Sequence, residues 1–166
     1  MGLSWSKETR SGWSGMMANY RNNMKNTRWP HLVGFNVQGS PTNYQFFRYG
    51  LTSCLMHDGY FCYTDTAVGY SSVPWFDEYN FDLGNATTPP PTVAWSSGVW
   101  RRDFQNGIAL VNPTANPVTV SVGVGFHRLS GQQDPSTNNG QVATSVTLAS
   151  KDGIILEFVR EEKNKE

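Results

Sequence analysis

The sequence predicts an α/β segment, part of a (β/α) barrel, followed by an all-β C-terminal sandwich domain. Before residue 85 the chain alternates between helical and strand patterns, which is typical of a parallel sheet. Three consecutive prolines then interrupt the chain, and prolines do not fit a helix interior or a central strand. After them, only short strand patterns with polar turns follow. We therefore predict a barrel-like domain over 1–84, a linker over 85–94 and a sandwich domain over 95–161.

The barrel-like domain contains four predicted elements. Apolar residues recur at helical spacing in two segments, and each of these is followed by a short β-prone run. In chain order, the predicted elements are helix 12–26, strand 31–37, helix 42–56 and strand 60–64. Two strands are too few to close a parallel sheet, since a barrel domain needs on the order of 250 residues. We interpret this domain as the last part of a barrel whose earlier strands are absent.

The sandwich domain contains short strand patterns separated by polar turns. The predicted strands are 95–104, 108–112, 117–122, 124–129, 141–148 and 153–160. Asn106 and Gly107 lie between two apolar strands and predict a tight hairpin, in which both turn residues have positive φ. The charged run 101–103 is expected to anchor the sandwich to the barrel through charged hydrogen bonds.

Charge and composition narrow the class of partner. The chain has 13 basic and 13 acidic residues, so no net field directs it to nucleic acid or to an anionic membrane surface. No apolar stretch is long enough to span a bilayer, and the amino terminus lacks the pattern of a signal peptide. These features do not determine the cellular compartment of the protein. The two cysteines, Cys54 and Cys62, are expected to be buried free thiols rather than a disulfide.

Several short motifs occur in a fixed order along the chain. They are FRYGLTS at 47–53, DGYF at 58–61, WFDEYNFDLG at 75–84, VWRRDF at 99–104, NGIALVNPT at 106–114, GQQDP at 131–135 and KDGIIL at 151–156. As an ordered set they resemble the glycosyl-hydrolase-like family 15, bacterial proteins in which a TIM-like barrel precedes a β-sandwich. The chain departs from the family pattern because it lacks the first six βα units.

The resemblance has implications for fold, function and location. It implies that residues 31–64 are the seventh strand, seventh helix and eighth strand of the barrel, and that residues 65–84 form the loop after the last strand. It further implies a hydrolase that acts on carbohydrate outside the cell.

Candidate catalytic residues are acidic side chains near the end of the predicted barrel. Glycoside hydrolysis normally uses two carboxylates, and barrel active sites lie at the carboxyl ends of the strands. Asp65 directly follows strand 60–64 and is one candidate, with a loop-capping role as the alternative. Asp77 and Glu78, beside Trp75, are candidates for general acid or base. The alternative for this cluster is a helix start, since acidic side chains favour helix amino termini.

Aromatic side chains are the predicted substrate contacts, because the C–H face of a pyranose can stack on an aromatic ring. The predicted contacts are Trp75, Tyr63, Tyr79 and Trp95. For Trp95, as for Trp100, packing between the two domains is the favoured alternative. No cofactor and no metal are expected, since the histidines at 31, 57 and 127 share no ligand spacing.

The sequence therefore supports two functions. The first is hydrolysis of a polysaccharide with Asp65, Asp77 and Glu78 as candidate catalytic groups. The alternative is a non-catalytic module that binds glycan or supports another domain. In both cases the expected partner is a polysaccharide or oligosaccharide. The open edges of an incomplete sheet additionally predict self-association.

Overall fold

The computed structural model describes residues 11–30 and 32–159, which form two α-helices, a short 3-10 helix and eight β-strands. The elements are α1 (Gly12–Asn26), β1 (Gly34–Gly39), α2 (Tyr44–Leu55), β2 (Tyr60–Asp65), the 3-10 helix (Asp77–Asn80), β3 (Trp100–Asp103), β4 (Gly107–Asn112), β5 (Val118–Ser121), β6 (Phe126–Arg128), β7 (Ser145–Leu148) and β8 (Asp152–Phe158). Each predicted helix and strand is found, with ends that differ by a few residues. Positions 31 and 160, where two predicted strands begin or end, lie outside the described residues.

The strands β1 and β2 pair in parallel, and α2 connects them, as the alternating pattern predicted. Both helices pack on one face of this pair, where Phe35, Val37 and Tyr63 are buried. Side chains alternate between the two faces of a strand, so the opposite face carries Gln38 and Cys62, which are exposed. Both cysteines are free, but the prediction that both are buried is wrong for Cys62, because alternation directs it away from the helices.

A four-stranded antiparallel sheet, ordered β3-β4-β8-β6, packs against the helices. Ala109 and Val111 of β4 belong to the core shared with the helices. Ile108 and Leu110 point the other way, into a second core formed with the antiparallel pair β5–β7. All six residues of β4 are buried because both faces of the sheet are covered. The two antiparallel sheets therefore share one hydrophobic core, as in a β-sandwich.

The chain is thus a mixed α/β protein with antiparallel sheets. No closed barrel is present within residues 11–30 and 32–159, where parallel pairing is limited to β1 and β2. None of the helices in this part of the chain has the length and apolar character needed to cross a membrane.

The proline-rich segment 85–94 lies along the outer edge of β3. The Thr87 N–H donates to the Asp103 carbonyl oxygen (2.9 Å), and the Gln105 N–H donates to that of Asn85 (3.0 Å). On the other side, Arg21 of α1 donates to the Pro91 carbonyl oxygen (3.4 Å). The segment is therefore held by hydrogen bonds to both parts of the chain.

The β3–β4 hairpin is present, but its turn differs from the predicted one. Neither Asn106 nor Gly107 has a positive φ, and the Phe104 N–H donates to the Gly107 carbonyl oxygen (2.9 Å). Gly107 is needed for another reason, because a Cβ at this position would overlap the carbonyl oxygen of Leu156 in β8. The sequence pattern predicted that Gly107 is needed for the turn conformation. The structure instead shows that it is needed because β4 and β8 approach closely at this position.

The sandwich is anchored to the helical part by Arg102, as the charged run predicted. Its Nη1 donates to the Leu55 carbonyl oxygen at the end of α2 (3.1 Å), and its Nη2 donates to Asp58 Oδ1 (2.5 Å). Beside this contact, the Trp100 ring packs 5.1 Å from the Trp13 ring of α1, measured between centroids. The structure therefore supports packing as the role of Trp100.

Candidate functional site

The predicted site cluster is positioned by an aromatic stack. The Phe76 ring lies parallel to the Phe47 ring of α2, with centroids 3.6 Å apart and planes 11° from parallel. Both rings are fully buried, so the chain is fixed at the start of the 3-10 helix. The residues around Phe76 differ in exposure: the Trp75 side chain is 62% exposed, whereas that of Glu78, two positions after Phe76, is only 7% exposed. The helix-start alternative for this cluster matches the observed 3-10 helix, whose first turn contains both acidic residues.

Trp75 is exposed, yet its orientation is fixed. Its Nε1 donates to Asn80 Oδ1 (3.0 Å), and its ring packs edge-on to Tyr79 with centroids 5.4 Å apart. Its carbonyl oxygen accepts a hydrogen bond from Gln133 Nε2 (2.9 Å). An exposed indole held in this way presents a rigid apolar face beside an exposed amide, which suits the C–H face and hydroxyls of a sugar.

Asp77 holds a loop of the sandwich. Its Oδ2 accepts hydrogen bonds from the N–H groups of Gln132 (2.7 Å) and Gln133 (2.8 Å). Its own N–H donates to Gln133 Oε1 (2.9 Å). One carboxylate oxygen is thus committed to the backbone between β6 and β7, which gives Asp77 a structural contact in this conformation.

Glu78 lies in the interface between the 3-10 helix and the same loop. Its Oε1 accepts a hydrogen bond from Asn138 Nδ2 (2.9 Å). Burial raises the pKa of Glu78, although Asn138 and the nearby Arg48 act in the opposite direction. A carboxyl that keeps its proton to higher pH has the property required of a general acid. Its low exposure means that a substrate reaches it only if the covering side chains move.

A buried charged group lies near Glu78 and was missed by the sequence reasoning. Arg48 of α2 is almost fully buried and pairs with Asp134 Oδ2 through Nη1 (2.5 Å) and with Asp152 Oδ1 through Nε (3.2 Å). Burial opposes ionisation of Asp134, but hydrogen bonds from Ser136 and Arg48 outweigh it and lower its pKa. The available signal was the position of Arg48, four residues after Tyr44, on the apolar face of the predicted helix.

Asp65 ends β2 and caps the following turn. Its Oδ1 accepts from the Ala67 N–H (2.8 Å), and its carbonyl oxygen accepts from the Gly69 N–H (2.8 Å). This matches the loop-capping alternative. Within the described residues, no hydrogen bond joins the Asp65 carboxylate to Asp77 or Glu78.

The predicted tyrosine contacts lie beneath the surface. Tyr63 is buried, and its hydroxyl donates to the Ser40 carbonyl oxygen (2.9 Å). Burial raises the pKa of Tyr63 to about 12. Tyr79 is half-buried between Phe47, at a centroid distance of 5.3 Å, and Trp75. Tyr79 therefore supports the exposed indole, and Tyr63 supports the core below it.

Trp95 lies in a different place, on the sandwich. It lines an open groove together with Arg101, Asp103 and the prolines 89–91. It belongs to neither hydrophobic core of the described residues.

The described ranges 11–30 and 32–159 contain no group of three His, Cys, Asp or Glu side chains suited to hold a metal ion. The histidine at position 31 lies outside these ranges.

A comparison with protein families gives the class of this protein. The model of the hypothetical glycosyl hydrolase family 15 matches residues 6–108. The chain belongs to this family, as its ordered motifs indicated. Searches of curated proteins and of solved structures gave no match.

Proposed function

We propose that this chain is a carbohydrate-binding part of a glycosyl-hydrolase-like protein, and that it holds a polysaccharide or oligosaccharide at a surface centred on Trp75. In this proposal the unit β1-α2-β2 is the last part of a barrel, and the loop after β2 carries the binding surface. The family match supports carbohydrate as the class of ligand.

The observation that carries the proposal is the rigid exposure of Trp75. An indole that is 62% exposed contributes little to the core, but its Nε1 is hydrogen bonded to Asn80 and its ring is braced by Tyr79. A ring that is already ordered loses little conformational entropy when a ligand binds. We infer that a pyranose stacks on this ring while the exposed Asn80 amide exchanges hydrogen bonds with its hydroxyls.

A test of binding uses calorimetry with a panel of plant and microbial oligosaccharides. We expect Trp75→Ala to weaken binding at least about tenfold, since a fully used stacking contact contributes roughly that much. Trp29→Ala is the matched control, because Trp29 is 87% exposed and lies in the turn after α1. Equal affinity of the two variants, or no binding by the wild-type chain, would overturn the proposal.

Hydrolysis is the second function, and the raised pKa of Glu78 favours it. We propose Glu78 as the general acid, with Asp65 or Asp77 as the second carboxylate that the reaction requires. Release of reducing ends from polysaccharides tests this, with Glu78→Gln, Asp65→Asn and Asp77→Asn as variants. Activity that is abolished in Glu78→Gln, while the variant stays folded, supports the assignment. Activity unchanged in all three variants would exclude these residues.

We also propose that the chain associates with itself through the open edges of its two-stranded parallel sheet. In the described residues β1 and β2 form a sheet of two strands, so each has an outer edge without a neighbouring strand. Unpaired edges can pair with another chain. Light scattering of the purified chain tests this proposal, and a monomer at all concentrations would contradict it.

A further inference from the structure

A second surface, on the β-sandwich, has the features of a ligand site. The groove beside Trp95 has a volume of about 570 Å³ and is bordered by Arg101, Asp103, Thr88 and the prolines 89–91. Proline fixes the backbone φ, so one wall of the groove is stiff. The groove is therefore already formed before any ligand enters it.

Trp95 is held in place without being buried. It is 40% exposed, and its backbone N–H donates to the Val99 carbonyl oxygen (2.8 Å) across a tight turn. Ser97 and Gly98 in this turn have positive φ values of 48° and 85°. One side of the indole is occupied by the Arg101 guanidinium, whose Cζ lies 5.0 Å from the ring centroid. The ring is thus fixed by the turn and by a cation–π contact, and part of it faces the groove.

Arg101 and Asp103 form an ordered polar pair next to the ring. They are two residues apart on β3, so their side chains lie on the same face of the strand. Arg101 Nε donates to Asp103 Oδ1 (2.6 Å), and Nη2 donates to Oδ2 (3.2 Å). In the described part of the chain Nη1 has no hydrogen-bond partner. The pair is electrically neutral, yet it offers a free donor and further acceptor lone pairs at the groove.

We propose that this groove binds one or more units of a neutral oligosaccharide. The C–H face of a pyranose packs on the accessible part of Trp95, and neighbouring hydroxyls accept from Arg101 Nη1 and donate to Asp103. A neutral sugar fits better than an acidic one, because Asp103 already balances the charge of Arg101. This inference rests on the proposed function in taking carbohydrate as the ligand, but it concerns a separate site from Trp75.

The test follows the indole N–H resonances of the tryptophans in the full chain by NMR. Neutral oligosaccharides of glucan, xylan, mannan and chitin type are titrated, and an oligogalacturonate is the acidic comparison. We expect the Trp95 resonance to shift with a neutral ligand, also in Trp75→Ala. Arg101→Met keeps much of the aliphatic stem but removes the donors, and we expect it to weaken this binding about tenfold. Trp29→Ala is again the control and should leave the affinity for the neutral oligosaccharide unchanged.

Each outcome is decisive. Shifts at Trp75 without shifts at Trp95 would overturn this inference and leave the proposed function intact. Shifts at neither ring would overturn both. Shifts at Trp95 that occur only with the oligogalacturonate, or that persist at full affinity in folded Arg101→Met, would overturn the assignment of a neutral sugar held by the Arg101–Asp103 pair.

Discussion

Arg48 Nη1 lies 2.5 Å from Asp134 Oδ2, and this ion pair joins α2 to the loop between β6 and β7. The same guanidinium contacts Asp152 at the start of β8. One buried cation therefore joins α2 to two segments that are far from it in sequence. Removing it would leave the buried carboxylate of Asp152 without a balancing charge.

Arg48→Met is expected to lower the free energy of unfolding by about 3–5 kcal/mol, because breaking a buried ion pair from one side is strongly destabilising. Urea denaturation measures this value. Lys25→Met, at an exposed position of α1, is the control and should change stability by less than about 0.5 kcal/mol. A cost below about 1 kcal/mol for Arg48→Met would contradict this role.

The pH dependence of stability should report on Glu78. Its pKa in the folded chain is raised above the ordinary value of 4.5 by burial. The stabilising contribution of the neutral form is therefore complete below pH 4.5 and is lost as the pH rises through the raised pKa. Glu78→Gln stays neutral and keeps an acceptor for Asn138. We expect this variant to gain stability relative to wild type as the pH rises toward neutral.

Denaturation curves of both proteins across this pH range provide the measurement. The difference between the two curves isolates the contribution of Glu78 from that of other groups, such as Asp152, whose pKa is also raised by burial. A difference that does not change with pH would show that the carboxyl of Glu78 is as well solvated in the folded chain as in the unfolded one.

A methyl group at Gly153 should separate α2 from β8. A Cβ at this position would overlap Thr52 Oγ1 and lie 2.9 Å from the carbonyl oxygen of Arg48. Gly153→Ala is expected to destabilise the chain by about 2 kcal/mol through overpacking. Gly34→Ala is a matched control, because a Cβ there meets nothing within 4 Å. If the two variants have equal stability, the helix and strand are not in the close contact described.

The two cysteines should differ in reactivity toward a thiol reagent. Cys62 is exposed, whereas Cys54 is buried and its pKa is raised by burial to about 12. Since the thiolate is the reactive form, we expect labelling of Cys62 in the native chain and of Cys54 only after unfolding. Cys62→Ser should abolish native labelling. Rapid labelling of this variant would contradict the burial of Cys54.

The helices and strands could be predicted from the sequence because each one has a clear local pattern. Helix α2 has apolar residues at helical spacing, and β4 is a continuous apolar run that ends at Asn112-Pro113. The pairing of β1 with β2 followed from the helix between them. These features depend on neighbours a few positions away, so the sequence contains the information directly.

Other features could not be predicted because they depend on contacts between distant segments. The pairing of Arg48 with Asp134 and Asp152 joins positions that are about ninety to one hundred residues apart. Position 107 requires glycine because the carbonyl oxygen of Leu156 in β8 lies too close for a side chain. Glu78 is buried against a distant loop, where Asn138 donates a hydrogen bond to its carboxyl group. For the candidate site, the sequence identified Trp75 as a candidate substrate contact but gave no sign that Asp77 binds a distant backbone loop.

The position of β8 has a consequence for how the chain is made. This strand, Asp152–Phe158, pairs with β4 on one side and β6 on the other, and α2 packs across it. During synthesis on a ribosome, α2 and β4 therefore emerge long before the strand that covers them. Their apolar faces stay open to solvent or to chaperones over that interval, and contacts of such long sequence separation form slowly. Strand β8 is thus translated after the elements that it covers, and it contributes to both hydrophobic cores.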